Sequence, residues 1–304
     1  MFTVTLKAIL EIVGLLGFGM VARKLSYIKD EDVTNWSRFI LDLLYPALAF
    51  ASILRDLDAS RLTELWLLPL CGFGIMALGF FAGMVILPLI AGSSADRRKT
   101  FHHLCIMNNY TYLPIIIIGA IWGKAFLPDL FLLSLGSSVG VWTMGIGVLG
   151  RARLRDNLRN LLNPNIVAIL LGVALCLTGL RNHIPAVIVS IFGAAGNAAV
   201  PCAIILTGSS LLTIRFSGEK RLLILSSAMR LFVLPALTIV ILKLLPLPYQ
   251  VYQVSVVVAL MPAAVASPLF VRRFGGDAAL AAQTLVVTTA ISCITVPLAM
   301  MLLF

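Results

Sequence analysis

The chain consists largely of apolar segments, each about as long as a membrane-spanning helix. Of its 304 residues, 60% are hydrophobic and 12% are charged, and the mean hydropathy is +1.04. A soluble domain carries about twice that charged share, whereas a bilayer core about 30 Å thick requires roughly 20 apolar residues per helix. The segments that fit lie at about 4–22, 38–54, 65–90, 100–120, 128–150, 165–180, 185–212, 222–243, 249–271 and 277–303. The sequence therefore predicts an all-α polytopic membrane protein with ten transmembrane helices.

The first apolar segment is predicted to remain in the protein as a span. It has no basic region in front of it and no Ala-x-Ala-like cleavage site, and it carries Glu11. The five cysteines are dispersed within predicted helices, and neither they nor the three histidines show a metal-binding spacing. We therefore expect no disulfide framework, no metal site and no cofactor. His102 and His103 are expected to be solvated at the membrane interface.

Basic residues are unevenly distributed between the two sets of loops. The formal net charge is +10, and most Lys and Arg residues lie in loops that follow odd-numbered segments, such as Arg97, Arg98 and Lys99. The positive-inside rule places these loops in the cytoplasm and both termini outside the cell membrane. Acidic lipid headgroups are the expected partners of this basic charge, and no nucleic-acid binding is expected.

Two helix-breaking motifs interrupt the apolar segments at the same offset. Met107-Asn-Asn-Tyr-Thr-Tyr-Leu-Pro114 and Met261-Pro-Ala-Ala-Val-Ala-Ser-Pro268 are 154 residues apart at both the Met and the Pro. They divide the chain into a five-helix repeat at 1–150, a linker at 151–163 and a second repeat at 164–304. Because five is odd, the second repeat is predicted to be inverted. Inverted repeats with broken helices near the midplane are a transporter architecture, so we predict that broken helices 4 and 9 cross at a binding site.

The residues of the two motifs are the predicted substrate-binding site. Amides and hydroxyls can hold a substrate or pair with the backbone groups that an unwound helix frees. If the motifs cross, the half-helix N-termini that follow them face inward and favour an anion. The predicted site residues are Asn108, Asn109, Tyr110, Thr111, Tyr112, Pro114, Met261, Pro262, Ala264, Ser267 and Pro268.

Polar residues at membrane depth are candidates for charge recognition or ion coupling. Arg230 attracts an anionic substrate, pairs with a carboxylate or extends to the interface. Glu11 and Asp42 are alternative proton carriers, since burial of a carboxyl group favours its protonated form. Asn197 is the fourth candidate, because Asn197 to Pro201 aligns with Asp42 to Pro46 between the repeats.

Over nearly its whole length the chain resembles the auxin efflux carrier family, whose bacterial members are often described as malate or other organic-acid permeases. The motifs that carry this resemblance are Asn163-Pro-Asn-Ile-Val-Ala-Ile-Leu-Leu-Gly172, Asn197-Ala-Ala-Val-Pro201 with Leu206-Thr-Gly208, Arg230-Leu-Phe-Val-Leu-Pro235, and Met261 to Pro268 with Arg273-Phe-Gly275. The chain departs from the family pattern at Met107, where members commonly have Asn, and at Tyr112, where Gly is expected. A bulky Tyr112 is predicted to narrow or reshape the pocket.

The resemblance implies a fold similar to that of sodium/proton antiporters and bile-acid symporters. Helices 1, 2, 6 and 7 would form a scaffold that dimerises, and helices 3–5 and 8–10 a transport core that moves against it like an elevator. A homodimer through the scaffold helices is therefore expected.

The function predicted from the sequence is secondary active transport of a small organic anion, in particular a carboxylate. No G-x-x-x-x-G-K-[ST] phosphate loop occurs, which disfavours a nucleotide-driven pump. No Gly-x-Gly-Asp pair or H-E-x-x-H motif occurs either, so the protein is not expected to be an enzyme. The alternatives are a sodium-coupled symporter of bile-acid-like fold and a non-transporting membrane sensor or scaffold.

Overall fold

A computed structural model describes residues 2–150, 162–212 and 220–304, and it folds them almost entirely into helices. Residues 151–161 of the predicted linker lie outside this part of the chain. In chain order the helices are α1 (Phe2–Lys24), α2 (Asp30–Asp56), α3 (Ala59–Ile90), α4 (Ala95–Ile106), α5 (Tyr112–Ile121), α6 (Lys124–Gly145), α7 (Pro164–Leu177), α8 (Ala186–Leu211), α9 (Lys220–Leu244), α10 (Tyr249–Ala259), α11 (Ser267–Phe274) and α12 (Ala278–Leu303).

Six helices of the described ranges are long and apolar enough to cross a bilayer, namely α2, α3, α6, α8, α9 and α12. The shorter helices α5 and α7 are also apolar. These spans confirm the prediction of a helical, polytopic membrane protein, whereas the count of ten spans and the inverted repeat stay predictions. Two predicted spans are split: segment 100–120 into α4 and α5, and segment 249–271 into α10 and α11. Residues 107–111 are called the first break and residues 260–266 the second break.

Glycines allow several pairs of helices to touch backbone to backbone, and two of these contacts are especially close. Between α3 and α6, a Cβ added at Gly136 would lie 1.7 Å from the carbonyl oxygen of Pro69. Between α1 and α8, a Cβ at Gly19 would lie 1.9 Å from the carbonyl oxygen of Ile205. Small residues are the usual means by which membrane helices approach closely. In both pairs the backbones therefore meet directly at these glycines.

Three helices contain a π-helical turn, at Ile40–Leu44 in α2, Val141–Gly145 in α6 and Met229–Val233 in α9. In α2 and α9 a proline follows directly, Pro46 and Pro235. A proline has no N–H to donate to the carbonyl four residues earlier and its ring clashes with that carbonyl. The preceding turn therefore widens by one residue, as π turns inside α-helices do.

The buried interior is centred on aromatic rings from three helices. Tyr45 of α2 packs edge-on against Tyr112 of α5, with ring centroids 6.0 Å apart, and against Phe131 of α6 at 5.7 Å. All three side chains are buried. By contrast, large apolar side chains such as Phe18 and Leu244 are exposed on the outside of the bundle, where the hydrocarbon of a bilayer would surround them.

Candidate functional site

The two breaks lie side by side and are joined by their backbones. The amide of Asn109 donates to the carbonyl of Pro262 at 2.8 Å, and the amide of Ala264 donates to the carbonyl of Met107 at 3.3 Å. The pair forms a short antiparallel bridge. Irregular backbone at membrane depth requires partners inside the protein, and here each break supplies part of what the other needs. The bridge also fixes α5 and α11 so that both begin immediately beyond it.

A side chain of α12 completes the backbone bonding of the second break. The Thr288 hydroxyl accepts from the amide of Ala263 at 3.2 Å and donates to the carbonyl of Thr284 at 2.7 Å. A hydroxyl can do both at once because it is donor and acceptor. Thr288 therefore holds the unwound segment in place.

Asn108 and Asn109 are both buried but have different partners. The Asn108 amide nitrogen donates to the carbonyl of Val258, in the last turn of α10, at 2.8 Å. Its Oδ1 is buried and has no hydrogen-bond partner among the residues described. Asn109 Oδ1 instead accepts from the amide of Tyr112 at 3.2 Å and so stabilises the first turn of α5. Of the two, Asn108 is therefore the one whose buried side-chain oxygen has no partner among the described residues.

The remaining polar residues of the first break flank this position. Tyr110 and Thr111 are half-buried, whereas Tyr112 and Pro114 are buried. The Tyr110 side chain lies close to Ser138 of α6. The ring of Tyr112 fills space against Tyr45, as described above, so that α5 is packed against α2.

The second break is apolar, and one hydroxyl follows it at the start of α11. Met261, Pro262 and Ala264 are buried, and Pro268 is half-buried. The Ser267 side chain is buried, and within the described ranges its Oγ has no partner. Because Ser267 begins α11, this hydroxyl lies at the N-terminus of that helix.

Arg230 of α9 reaches the end of α4. It lies in the π-helical turn of α9 and is 2% exposed. Its Nη1 donates to the carbonyl of Cys105, in the last turn of α4, at 3.1 Å, and its Nε has no partner in the described part of the chain. The guanidinium therefore lies next to the first break, at the negative end of the α4 dipole.

The other three charge or coupling candidates are not brought to the crossing. Glu11, Asp42 and Asn197 have exposed side chains on α1, α2 and α8. Asp42 faces Arg38 of its own helix at 3.5 Å, and both side chains are more than half exposed. Such an exposed pair contributes little to stability.

A polar network at the opposite end of α10, partly buried, was not predicted from the sequence. Asp129, the sixth residue of α6, is 2% exposed. It accepts a hydrogen bond from the side-chain amide of Gln250, in the first turn of α10, and Gln250 in turn accepts from Arg61. The only signal in the sequence was a carboxylate after a proline at the start of a predicted span.

The expectation that His102 and His103 are solvated is wrong. Both are buried, because neighbouring helices cover them: His102 stacks on Phe80 of α3 and donates to its carbonyl at 2.9 Å, and the His103 ring packs edge-on against Phe270 of α11. His103 Nδ1 donates to the carbonyl of Gly145 at 2.7 Å. The described residues contain no group of His, Cys, Asp and Glu arranged to hold a metal ion.

A small cleft borders the crossing on the side of α1. It has an empty volume of about 260 Å³, including space open to the surroundings. Its walls include Ile12 of α1, Leu113 and Ile117 of α5, and Thr289 and Val296 of α12. The cleft therefore lies where α1 meets the helix that begins beyond the first break.

Comparisons with known proteins span almost the whole chain. A family described as membrane transport protein matches residues 4–152 and 151–300. A protein of Methanothermobacter thermautotrophicus described as an uncharacterized transporter is 25% identical over 300 residues, and the alignment covers 96% of each chain.

Proposed function

Because the chain belongs to the membrane transport protein family, we propose that it is a secondary transporter that carries a small organic anion, specifically a carboxylate, across the cell membrane. The membership confirms the resemblance drawn from the sequence, and with its apolar helices the chain is an integral membrane protein. The observation that carries the proposal is the bridge between the two breaks. Unwound backbone paired at membrane depth is the arrangement in which secondary transporters hold their substrates.

The charge of the cargo follows from the direction of the helices at the crossing. Both α5 and α11 begin there, and the N-terminus of a helix carries a partial positive charge and free N–H groups. Helix N-termini therefore favour anions. Arg230 adds a full positive charge within bonding distance of α4. These features support an anion rather than a cation.

The free polar atoms narrow the chemistry of the cargo further. Asn108 Oδ1 can only accept a hydrogen bond, whereas the Ser267 hydroxyl can donate or accept. A buried acceptor without a partner costs free energy, so a cargo that carries both a donor and a carboxylate satisfies the site best. We therefore place hydroxy- or amino-substituted carboxylates ahead of unsubstituted acids of the same length.

The proposal includes an elevator-type movement, a homodimer through the predicted spans 1, 2, 6 and 7, and both termini outside the cell. In the structure these four spans correspond to α1, α2, α7 and α8. The scaffold would comprise α1, α2, α7 and α8, and the remaining helices the transport core. The glycine contacts join α3 to α6 and α1 to α8, so each contact lies within one proposed body. This division supports a movement between the bodies rather than within them.

The test is a ligand screen followed by flux measurement. Purified protein is melted in the presence of matched pairs of carboxylates with and without a hydroxyl, in sodium and sodium-free buffer and across pH. The acid that raises the Tm most is then radiolabelled and followed into proteoliposomes. We expect saturable flux that Asn108→Ala reduces. If organic cations or neutral solutes raise the Tm and are transported while no carboxylate is, the proposal is wrong.

The same measurements separate the alternatives. A sodium-coupled symporter would show flux that vanishes without sodium. A non-transporting sensor would bind the acid and show no flux in liposomes at any ion gradient.

A further inference from the structure

Arg230 is a buried cation that no carboxylate of the described residues balances. Its side chain is 2% exposed, and none of the ion pairs formed by the described residues includes it. Arginine cannot lose its proton in a protein. Burying an uncompensated charge is costly, so something in the structure must offset it.

The compensating charge is the end of a helix. The carbonyl that binds Nη1 belongs to Cys105, and α4 ends one residue later, at Ile106. The last carbonyls of a helix carry roughly half an elementary negative charge. In transporters built from broken helices, such C-terminal ends coordinate the coupling cation. In this chain a guanidinium occupies that end of α4.

The end of α10 is satisfied in another way. The carbonyl of Val258 accepts from the neutral amide of Asn108. The C-terminal carbonyls of α4 and α10 at the crossing therefore have different partners. The charged guanidinium of Arg230 binds the end of α4, and the neutral amide of Asn108 binds the end of α10.

The position of the charge depends on the backbone of α9. Arg230 lies within the π-helical turn that precedes Pro235. The one extra residue in such a turn rotates the following side chains relative to a regular helix. Nε is left without a partner among residues 2–150, 162–212 and 220–304. The guanidinium therefore keeps a hydrogen-bond donor without an acceptor in this part of the chain. An arginine with a purely structural role would have its donors bonded.

We infer that Arg230 is a resident cation that takes the place of an exchangeable coupling ion at the C-terminal end of α4. The inference rests on the proposed function, because it concerns how an anion site is kept electrostatically balanced. Arg230 is here a positioning residue: it neutralises the helix end and allows an anion to bind without a co-bound sodium ion. Removal of its charge should make the site depend on an added cation.

The experiment compares Arg230→Gln and Arg230→Lys with the wild type in three chloride buffers of equal ionic strength, containing N-methyl-D-glucamine, sodium or methylguanidinium. Both Tm and flux of the screened carboxylate are measured. The matched control is Arg221→Gln, which removes an exposed arginine of the same helix that donates to the carbonyl of Leu89 at 3.4 Å.

We expect wild type and Arg221→Gln to behave alike in all three buffers. Arg230→Gln should melt several degrees lower and lose at least tenfold of its flux in N-methyl-D-glucamine, and sodium or methylguanidinium should restore part of both. Arg230→Lys should retain most of the Tm and flux, because it keeps the charge.

Three results would overturn the inference: a wild-type flux that requires sodium, an Arg230→Gln variant that melts and transports like wild type, or an Arg230→Lys variant as damaged as Arg230→Gln. If Arg230→Gln does not fold, the Tm and flux of Arg230→Lys, compared with those of the wild type, test the inference. The Tm measurements do not need transport, so a protein that shows cation-dependent Tm in Arg230→Gln but no flux would refute the proposed function and leave the resident cation intact.

Discussion

The side-chain amide of Asn108 donates to the carbonyl of Val258, 2.8 Å away, and so ties the first break to the last turn of α10. This single bond satisfies a carbonyl that a helix end leaves without an intrahelical partner. It also orients the amide, since only its nitrogen can donate to a carbonyl. The oxygen is left facing away from Val258 with no partner among the described residues.

Replacement of Asn108 by Ala should therefore damage both structure and transport. We expect a loss of about 1 kcal/mol of stability from the buried hydrogen bond, and at least a tenfold loss of carboxylate flux, which corresponds to about 1.4 kcal/mol. Tm and proteoliposome flux are the measurements. A variant with a lower Tm but unchanged flux would show that Asn108 acts only as a brace.

Asn109 should behave differently, because its oxygen caps α5. Asn109→Ala removes the acceptor of the Tyr112 amide and is expected to cost about 1 kcal/mol of stability, whereas Asn109→Asp retains the acceptor and favours the helix N-terminus. Thermal unfolding of the two variants checks this. Equal Tm values for both would contradict the capping role.

Thr288 is expected to be essential for the second break. Thr288→Val keeps the shape of the side chain but leaves the amide of Ala263 without an acceptor, at a cost of about 1–3 kcal/mol. Thr288→Ser retains the hydroxyl and serves as the matched control. The Tm should fall in the valine variant and remain near wild type in the serine variant; a similar fall in both would point to packing instead.

Tyr112 is predicted to limit the size of the cargo. Tyr112→Ala should admit bulkier acids, which can be measured as competition by aryl carboxylates against the screened substrate. Tyr112→Phe retains the edge-on ring contact with Tyr45, which is worth about 0.5–1.5 kcal/mol beyond its buried area, and should keep the wild-type preference. If the alanine variant shows the same order of competitors, the ring does not line the pocket.

The network of Asp129, Gln250 and Arg61 is suited to a double-mutant cycle. Gln250→Leu leaves a buried carboxylate without its donor, while Asp129→Leu leaves a half-buried amide without its acceptor. The double variant removes both groups and should be less damaged than the sum of the single variants, with a coupling energy of about 0.5–3 kcal/mol. Additive changes in Tm would mean that the two side chains act independently. Asp129→Asn, which can still accept from Gln250, should be mild.

The sequence located the two breaks well, because prolines and polar side chains interrupt apolar helices for local chemical reasons. Pro114, Pro262 and Pro268 mark these positions without any knowledge of the fold. It could not separate the roles of Asn108 and Asn109. Which of two adjacent amides caps a helix and which one binds across the crossing depends on the backbone path through the break.

Contacts between residues far apart in the chain were the part of the site that the sequence could not predict. Gln250 and Asp129 are 121 residues apart, and neither has a local pattern that predicts the other. His103, close in sequence to Arg97 and Arg98, was expected at the interface, yet in the fold it bonds to Gly145 of α6 and packs against Phe270 of α11. The depth of Arg230 in its span marked it as a candidate for charge recognition. Its acceptor is a backbone carbonyl of α4, and no side-chain pattern in the sequence predicts that contact.

The glycine contacts also set where this bundle can shear. Helices whose backbones touch, as α3 and α6 do at Gly136, have no intervening layer of side chains over which to slip, so each such pair moves as one block. Shear between packed helices proceeds by small sliding across side-chain layers. In the proposed elevator movement, the slip plane would therefore run through the rings of Tyr45, Tyr112 and Phe131, where α2 faces α5 and α6.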